Sequence, residues 1–136
     1  MLAAVRVVLV RHAEAAPGKP DELRELTPEG RRQAGALAAR LASELRVDAV
    51  LSSPLLRARQ TAEAIAGAAG LEPRPHDLLA PGATADDVLL ASAAAEAETV
   101  VVVGHNPDCQ QIAEALGASA PHGFPPAGYA VIDLPA

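Results

Sequence analysis

Two runs of consecutive β-branched and aliphatic residues do most to limit the folds open to this chain. Residues 5–10 and 99–103 are apolar almost throughout, which is typical of central strands covered on both faces of a sheet. A shorter apolar run covers residues 49–51, and residues 129–134 predict a last strand. Segments with helical character separate these runs, and such alternation favours a parallel sheet. We therefore expect an α/β fold, a three-layer sandwich with a mostly parallel central sheet.

Signals for helix starts support this division. Four helices are predicted between the strands, over residues 27–45, 53–70, 84–94 and 107–116. Thr27 and Ser53 are the expected N-caps, and each is followed by a proline, which suits the first helical position. Residues 72–83 and 117–126 are rich in proline and predict irregular structure.

Length and composition limit the classes of protein to which this chain can belong. The chain has 136 residues, enough for one domain over residues 1–136. Its net charge of −6 argues against nucleic acid or an anionic membrane as partner. One cysteine rules out a disulfide within the chain, and the sequence lacks a signal peptide or a membrane-spanning run. We expect a cytoplasmic protein.

Histidine and arginine follow the predicted strands at the point where each strand ends. Arg11 and His12 come directly after the first strand, and His105 follows the strand over residues 99–103. Arg57 lies shortly after the strand over residues 49–51. In open α/β sheets, ligands bind at the carboxyl ends of the strands. Two imidazoles and two guanidiniums gathered at this edge predict a site for an anion.

These side chains suit the transfer of a phosphoryl group. Arg11 and Arg57 can hold phosphoryl oxygens with planar forks, and His105 adds a third donor when it is protonated. His12 is then the expected nucleophile, forming a covalent phosphohistidine that water hydrolyses. The positive charge comes from side chains, so we expect neither a metal ion nor a cofactor. The four histidines lack the local spacing of a zinc site.

Four ordered motifs resemble the histidine phosphatases. They are RHAE at 11–14, LTPEGRRQA at 26–34, SPLLRARQTA at 53–62 and GHNP at 104–107. The resemblance implies that His12, Arg11, Arg57 and His105 are catalytic, with Arg11, Arg57 and His105 binding substrate. It also implies a phosphoglycerate mutase-like fold.

Within that family, the short chain and the segment over residues 124–128 resemble the SixA-type phosphohistidine phosphatases. The chain has no room for the long insertions that cover the site in phosphoglycerate mutases, so we expect a minimal fold without a large lid. Arg24 matches an arginine often found in the SixA group and is a further candidate for substrate binding. A phosphohistidine on a protein is the substrate that this resemblance implies.

One departure concerns the general acid. Many family members place a carboxylate after the third element to protonate the leaving oxygen, and here none is clearly in register. Asp77, Asp86 and Asp87 are weak candidates for it. An imidazole leaving group needs little help from an acid, so its absence suits phosphohistidine.

Two other functions stay open: a small-molecule phosphomonoesterase of the same fold, and a phosphoprotein-binding module without catalysis. The second is disfavoured by the intact set of Arg11, His12, Arg57 and His105, since a binding module needs no nucleophile. We interpret Cys109 as a packed small residue and His76 and His122 as solvated loop residues, without a role for any of them. The sequence does not give the physiological substrate or the oligomeric state.

Overall fold

A five-stranded sheet forms the middle layer of the protein. The computed structural model describes residues 4–118 and 123–135. Its strands and helices, in chain order, are β1 (Ala4–Arg11), α1 (Pro28–Glu44), β2 (Ala49–Ser52), α2 (Leu56–Ala69), β3 (Pro73–Pro75), α3 (Ala85–Ala94), β4 (Thr99–Gly104), α4 (Asp108–Ala115) and β5 (Tyr129–Pro135). Short 3-10 turns cover Asp21–Leu23 and Asp77–Leu79.

The sheet has the order β3-β2-β4-β1-β5. The first four strands run parallel, and β5 pairs antiparallel with β1 at one edge. This confirms the mostly parallel sheet. Residues 72–83 are more ordered than their prolines predict, since they contain β3 and a 3-10 turn. Prolines are tolerated in β3 because it is an edge strand, where some N–H groups need no partner.

Helices cover both faces of the sheet, which confirms the three-layer sandwich. Helices α1 and α2 pack on one face, where Val8, Val10 and Val101 meet Leu41 and Ile65. Helices α3 and α4 cover the other face, where the buried side chains include Val7, Leu9, Val102, Val88 and Ile112. Consecutive side chains of β1 and β4 thus point to opposite faces of the sheet and are buried under helices on both. This explains why the two strands are apolar almost throughout.

The strand register aligns the ends of the three inner parallel strands. Arg11 of β1 pairs with Gly104 of β4, and Ser52 of β2 pairs with Val103. Backbone hydrogen bonds continue past the strands: His12 N–H donates to the carbonyl of Gly104 at 2.9 Å, and Ser53 N–H to that of Val103 at 2.9 Å. The residues that follow the strands are therefore neighbours in space.

The segment after β1 is held against both helices of its face. Ala13 N–H donates to the buried Thr61 hydroxyl at 3.0 Å, and that hydroxyl donates to the carbonyl of Arg57 at 2.9 Å. Gly30 lies against the carbonyl of Glu14 so closely that a Cβ would overlap it. Only glycine fits at position 30 with this approach of α1.

Candidate active site

Two histidine rings meet at the carboxyl edge of the sheet. The ring centroids of His12 and His105 are 5.2 Å apart, and the rings are inclined edge to face at 61°. His12 follows β1 directly and His105 follows β4, so the strand register brings them together. This is the pairing of imidazoles that the sequence predicts.

The ring of His12 has a defined tautomer. Its Nδ1 lies 2.7 Å from the carbonyl oxygen of Ala13, and a carbonyl can only accept, so Nδ1 carries the proton. The pKa of His12 is lowered to about 4, chiefly by burial and further by the positive charges of Arg57, Arg11 and Arg24; the hydrogen bond to Ala13 opposes this shift. At neutral pH the Nε2 atom therefore holds a free lone pair.

His105 is buried, with 5% of its surface exposed. Its Nε2 lies 2.7 Å from the hydroxyl of Ser53, and its Nδ1 is buried without a partner among the described residues. The pKa of His105 is lowered to about 3, chiefly by burial, then by His12 and Arg57, with Asp21 opposing. His105 is thus neutral at neutral pH, so the condition under which the sequence makes it a charged donor is not met; burial without a carboxylate bonded to the ring disfavours the charge.

Ser53 is a site residue that the sequence misassigned. Leu55 has an extended backbone, so α2 begins at Leu56, and Ser53 and Pro54 lie in the turn before it. The Ser53 hydroxyl accepts from the N–H of Leu55 at 3.2 Å and contacts His105. Its position directly after a buried strand was the available signal.

Arg57 reaches the site from the first turn of α2 and is 7% exposed. Its Nη1 donates to the backbone carbonyl of Asp21 at 2.9 Å, and its Nη2 donates to the Asp21 carboxylate at 3.2 Å. One edge of the guanidinium is therefore taken by Asp21. The Nε–H forms no hydrogen bond within residues 4–118 and 123–135 and remains for another acceptor.

Arg11 and Arg24 complete the positive charge around His12. Arg11 donates from Nη1 to the carbonyl of Phe124 at 2.9 Å, while its buried Nε lacks a partner in the described part of the chain. Arg24 donates from Nε to the carbonyl of Ala16 at 2.8 Å and from Nη1 to Asp21 at 3.1 Å. The charge of Arg24 lowers the pKa of His12, so Arg24 lies within electrostatic range of the site.

Asp21 is the site residue that sequence reasoning missed. Its carboxylate joins Arg24 to Arg57, and the bond from Arg24 does most to hold the pKa of Asp21 below its usual range. It stands in a polar loop with glycine and prolines, a composition that predicts only a solvated turn.

The remaining candidates have other contacts. Asp87 accepts from the N–H and hydroxyl of Thr84 and so caps α3, while Asp77 and Asp86 are exposed. Cys109 is fully buried and the pKa of its thiol is raised to about 12 by burial, as expected of a packed residue. His76 is half-buried, and its Nδ1 accepts from Leu78 N–H in an exposed hydrogen bond. His122 lies outside the described residues.

A family model described as the histidine phosphatase superfamily (branch 1) matches residues 7–80. The chain belongs to the histidine phosphatase superfamily. That match spans β1 to the turn after β3 and includes His12, Arg24 and Arg57. His105 lies beyond it.

Solved structures and a curated relative extend this membership. A putative phosphohistidine phosphatase SixA from Agrobacterium tumefaciens is 35% identical, with 96% of this chain and 92% of that chain covered and a TM-score of 0.81. A protein histidine phosphatase SixA complexed with tungstate is 27% identical, with 93% of this chain and 86% of that chain covered and a TM-score of 0.81. An uncharacterized protein of Picosynechococcus sp. is 39% identical, covering 76% of this chain but only 66% of that protein.

These matches identify the chain as a phosphatase with the SixA-like form of the fold, without a large insertion. A mycobacterial glucosyl-3-phosphoglycerate phosphatase shares the fold at 21% identity, with 96% of this chain and 90% of that chain covered and a TM-score of 0.74. At that identity the likeness concerns the fold alone. Within the described ranges, no helix of the histidine phosphatase domain is long and apolar enough to cross a membrane.

Proposed function

We propose that this chain is a cytoplasmic, metal-independent phosphatase that removes the phosphoryl group from phosphohistidine on a protein, with His12 as nucleophile. The proposal rests on the tautomer and the protonation state of the His12 ring. The carbonyl of Ala13 fixes the proton on Nδ1, and burial with neighbouring arginines keeps Nε2 unprotonated. A neutral imidazole with a fixed tautomer is a ready nucleophile for phosphorus.

The reaction proceeds in two displacements at phosphorus. The lone pair of His12 Nε2 forms a bond to phosphorus while the bond from phosphorus to the substrate imidazole breaks. The leaving imidazole departs neutral, because its other nitrogen already bears a proton. Water then attacks the phosphoryl group on His12, the phosphorus–nitrogen bond breaks, and orthophosphate leaves with His12 restored.

Buried donors that lack partners support the binding of phosphoryl oxygens. Arg11 Nε and His105 Nδ1 are buried without acceptors in the described residues, and such groups are rare in folded proteins without a functional reason. We assign the Ser53 hydroxyl as the donor to His105 Nε2, 2.7 Å away, and this assignment leaves the ring proton on Nδ1. Neutral His105 thus donates through Nδ1–H, and Arg57 donates through its unoccupied Nε–H. Fixed donors of this kind stabilise the charge that develops in transfer.

The preference for phosphohistidine follows from the leaving group. An alkoxide departs poorly unless an acid protonates it, whereas a neutral imidazole has no such need. Asp21 is engaged by two arginines and Asp87 by Thr84, so neither is a ready proton donor. The neighbours' names support this substrate class, since one is a putative phosphohistidine phosphatase and the other a protein histidine phosphatase.

The substrate series tests this proposal against a small-molecule phosphomonoesterase. We expect kcat/KM for phosphohistidine peptides and activated aryl phosphates to exceed that for phosphoserine or sugar phosphates by orders of magnitude. Asp77→Asn, Asp86→Asn and Asp87→Asn should leave the order unchanged. Fast turnover of alkyl phosphates that is lost in one of these variants would favour the small-molecule function. Binding of a phosphopeptide without turnover would favour a binding module.

A further inference from the structure

The carboxylate of Asp21 acts as an internal anion in the candidate site. Its Oδ2 accepts from Arg57 at 3.2 Å, and its Oδ1 accepts from Arg24 at 3.1 Å. Both arginines lower the pKa of His12, so the carboxylate neutralises charge that would otherwise face the nucleophile. Asp21 also opposes the lowering of the His105 pKa, which means that its negative charge is felt at the second histidine.

The backbone fixes Asp21 in this place. Its carbonyl oxygen accepts from Arg57 Nη1 at 2.9 Å and from the N–H of Arg24 at 3.1 Å, closing the 3-10 turn. The loop is tied back on itself, because Arg24 Nε donates to the carbonyl of Ala16 and Ala15 pairs with Leu26. A side chain on such an anchored turn keeps its position without burial.

The Asp21 side chain is more exposed to solvent than the side chains of the two arginines that it binds. The side chain of Asp21 is 62% exposed, whereas that of Arg57 is 9% exposed and that of Arg24 28%. The carboxylate is therefore accessible to a substrate that binds at these arginines. A second acidic group on that substrate finds Arg24 already paired and faces the negative charge of Asp21.

We propose that Asp21 is a specificity-determining residue: its carboxylate occupies Arg24 and part of Arg57, so that the site rejects phosphates carrying a second acidic group close to the phosphoryl group. Substrates without an acidic group beside phosphorus, such as a phosphorylated imidazole, avoid this repulsion. The inference rests on the proposed phosphatase function and narrows its substrate class. It predicts selection by charge and not by size.

Asp21→Asn separates this role from one of merely holding Arg57 in place. Asparagine keeps the backbone carbonyl that accepts from Arg57 and keeps one side-chain oxygen, but it removes the charge. Loss of positioning lowers kcat for every phosphate alike. Loss of the charge selectively lowers KM for acidic phosphates.

The test compares 3-carboxyphenyl phosphate with 3-carbamoylphenyl phosphate, which differ in charge but hardly in size. We expect the wild type to favour the carbamoyl compound by about tenfold in kcat/KM, the scale on which one nearby charge acts in a partly exposed site. In Asp21→Asn the ratio should fall towards the value that the two leaving groups alone set, through a lower KM for the carboxy compound. Asp133→Asn removes a carboxylate from the ion pair with Arg6 at the far end of β1, and should leave the ratio unchanged.

A ratio that is the same in Asp21→Asn and the wild type overturns the inference, whether or not both rates fall. Thermal unfolding of each variant checks the fold, and Asp21→Ser supplies a second uncharged side chain if the asparagine variant does not fold. The two corresponding benzylphosphonates, which are not hydrolysed, give the same ratio as dissociation constants. The wild type could bind the carbamoyl phosphonate more tightly than the carboxy phosphonate and yet hydrolyse no phosphate. That result would contradict the proposed function but would still support charge selection by Asp21.

Discussion

The Nδ1 atom of His12 lies 2.7 Å from the carbonyl oxygen of Ala13, and this contact leaves Nε2 as the free nitrogen of the ring. The carbonyl is itself fixed, because the N–H of Ala13 donates to the buried hydroxyl of Thr61 on α2. The same hydroxyl donates to the carbonyl of Arg57. One buried threonine thus connects the orientation of His12, the proposed nucleophile, to the helix that carries Arg57.

Arg57 should not be replaceable by lysine. The guanidinium binds Asp21 with one edge and has Nε–H left for a phosphoryl oxygen, and an ammonium group cannot do both in this geometry. We expect Arg57→Lys to lower kcat/KM by about 10² or more, as when one fixed transition-state donor is lost. Arg59→Lys, on an exposed position of the same helix, is the matched control. Near-wild-type activity in Arg57→Lys would place this arginine outside the site.

Both site histidines should titrate far below the ordinary range. The pKa values of about 4 for His12 and about 3 for His105 predict ring NMR signals that show no protonation between pH 8 and 5.5. Signals missing from His12→Ala and His105→Ala give the assignments. In the unfolded chain both rings bind protons near pH 6.5, so the free energy of unfolding should fall as pH decreases from about 6.5 towards 4. A midpoint near 6.5 for His12 would contradict its burial beside the arginines.

The Ser53 hydroxyl should fix the tautomer of His105. It lies 2.7 Å from Nε2, and its loss in Ser53→Ala leaves the ring without its only hydrogen bond in the described structure. We expect about a tenfold loss in kcat, by analogy with the loss of a hydrogen-bond partner that orients a metal-binding histidine, and a change in the ring nitrogen chemical shifts of His105. Ser43→Ala, on the exposed side of α1, should change neither. Unchanged nitrogen shifts in Ser53→Ala would remove Ser53 from this role.

Activity should not depend on a metal ion, because the arginines around His12 supply the positive charge. In the part of the chain that the structure describes, no cluster of three or more His, Cys, Asp or Glu side chains is placed to bind a metal. EDTA should leave turnover unchanged, while phosphate, vanadate and tungstate should compete with substrate for the same arginines. A requirement for added Mg²⁺ or Zn²⁺ would contradict the proposed chemistry.

The sequence predicts the sheet and the two histidines well because strong local signals place them. Residues 100–103 and 7–10 are buried, and a residue directly after such a strand has a fixed position at the edge of the sheet. The short strand Pro73–Pro75 could not be found in this way, since proline has no preference for strands and three residues show no period. Its pairing with β2 comes from the tertiary fold.

The contacts of Asp21 and Ser53 were also beyond local reasoning. Asp21 and Arg57 are 36 positions apart, and Ser53 and His105 are 52 apart, so no spacing along the chain joins them. Ser53 followed by Pro54 has the form of a helix start, but the hydroxyl is used by His105 and the helix begins later. Only the family resemblance assigned Arg24 to the site. In the structure Arg24 and Arg57 are linked because both donate to the carboxylate of Asp21.

The most direct test of the central claim is to trap the phosphorylated enzyme. Wild-type protein is mixed with a radiolabelled phosphohistidine peptide, quenched in alkali within one turnover and digested for peptide mapping. We predict a label that is stable in alkali, lost in acid and located on His12, with none in His12→Ala and an undiminished amount in His76→Ala. Turnover in His12→Ala, or a label on another residue, would contradict the assignment of His12 as the nucleophile.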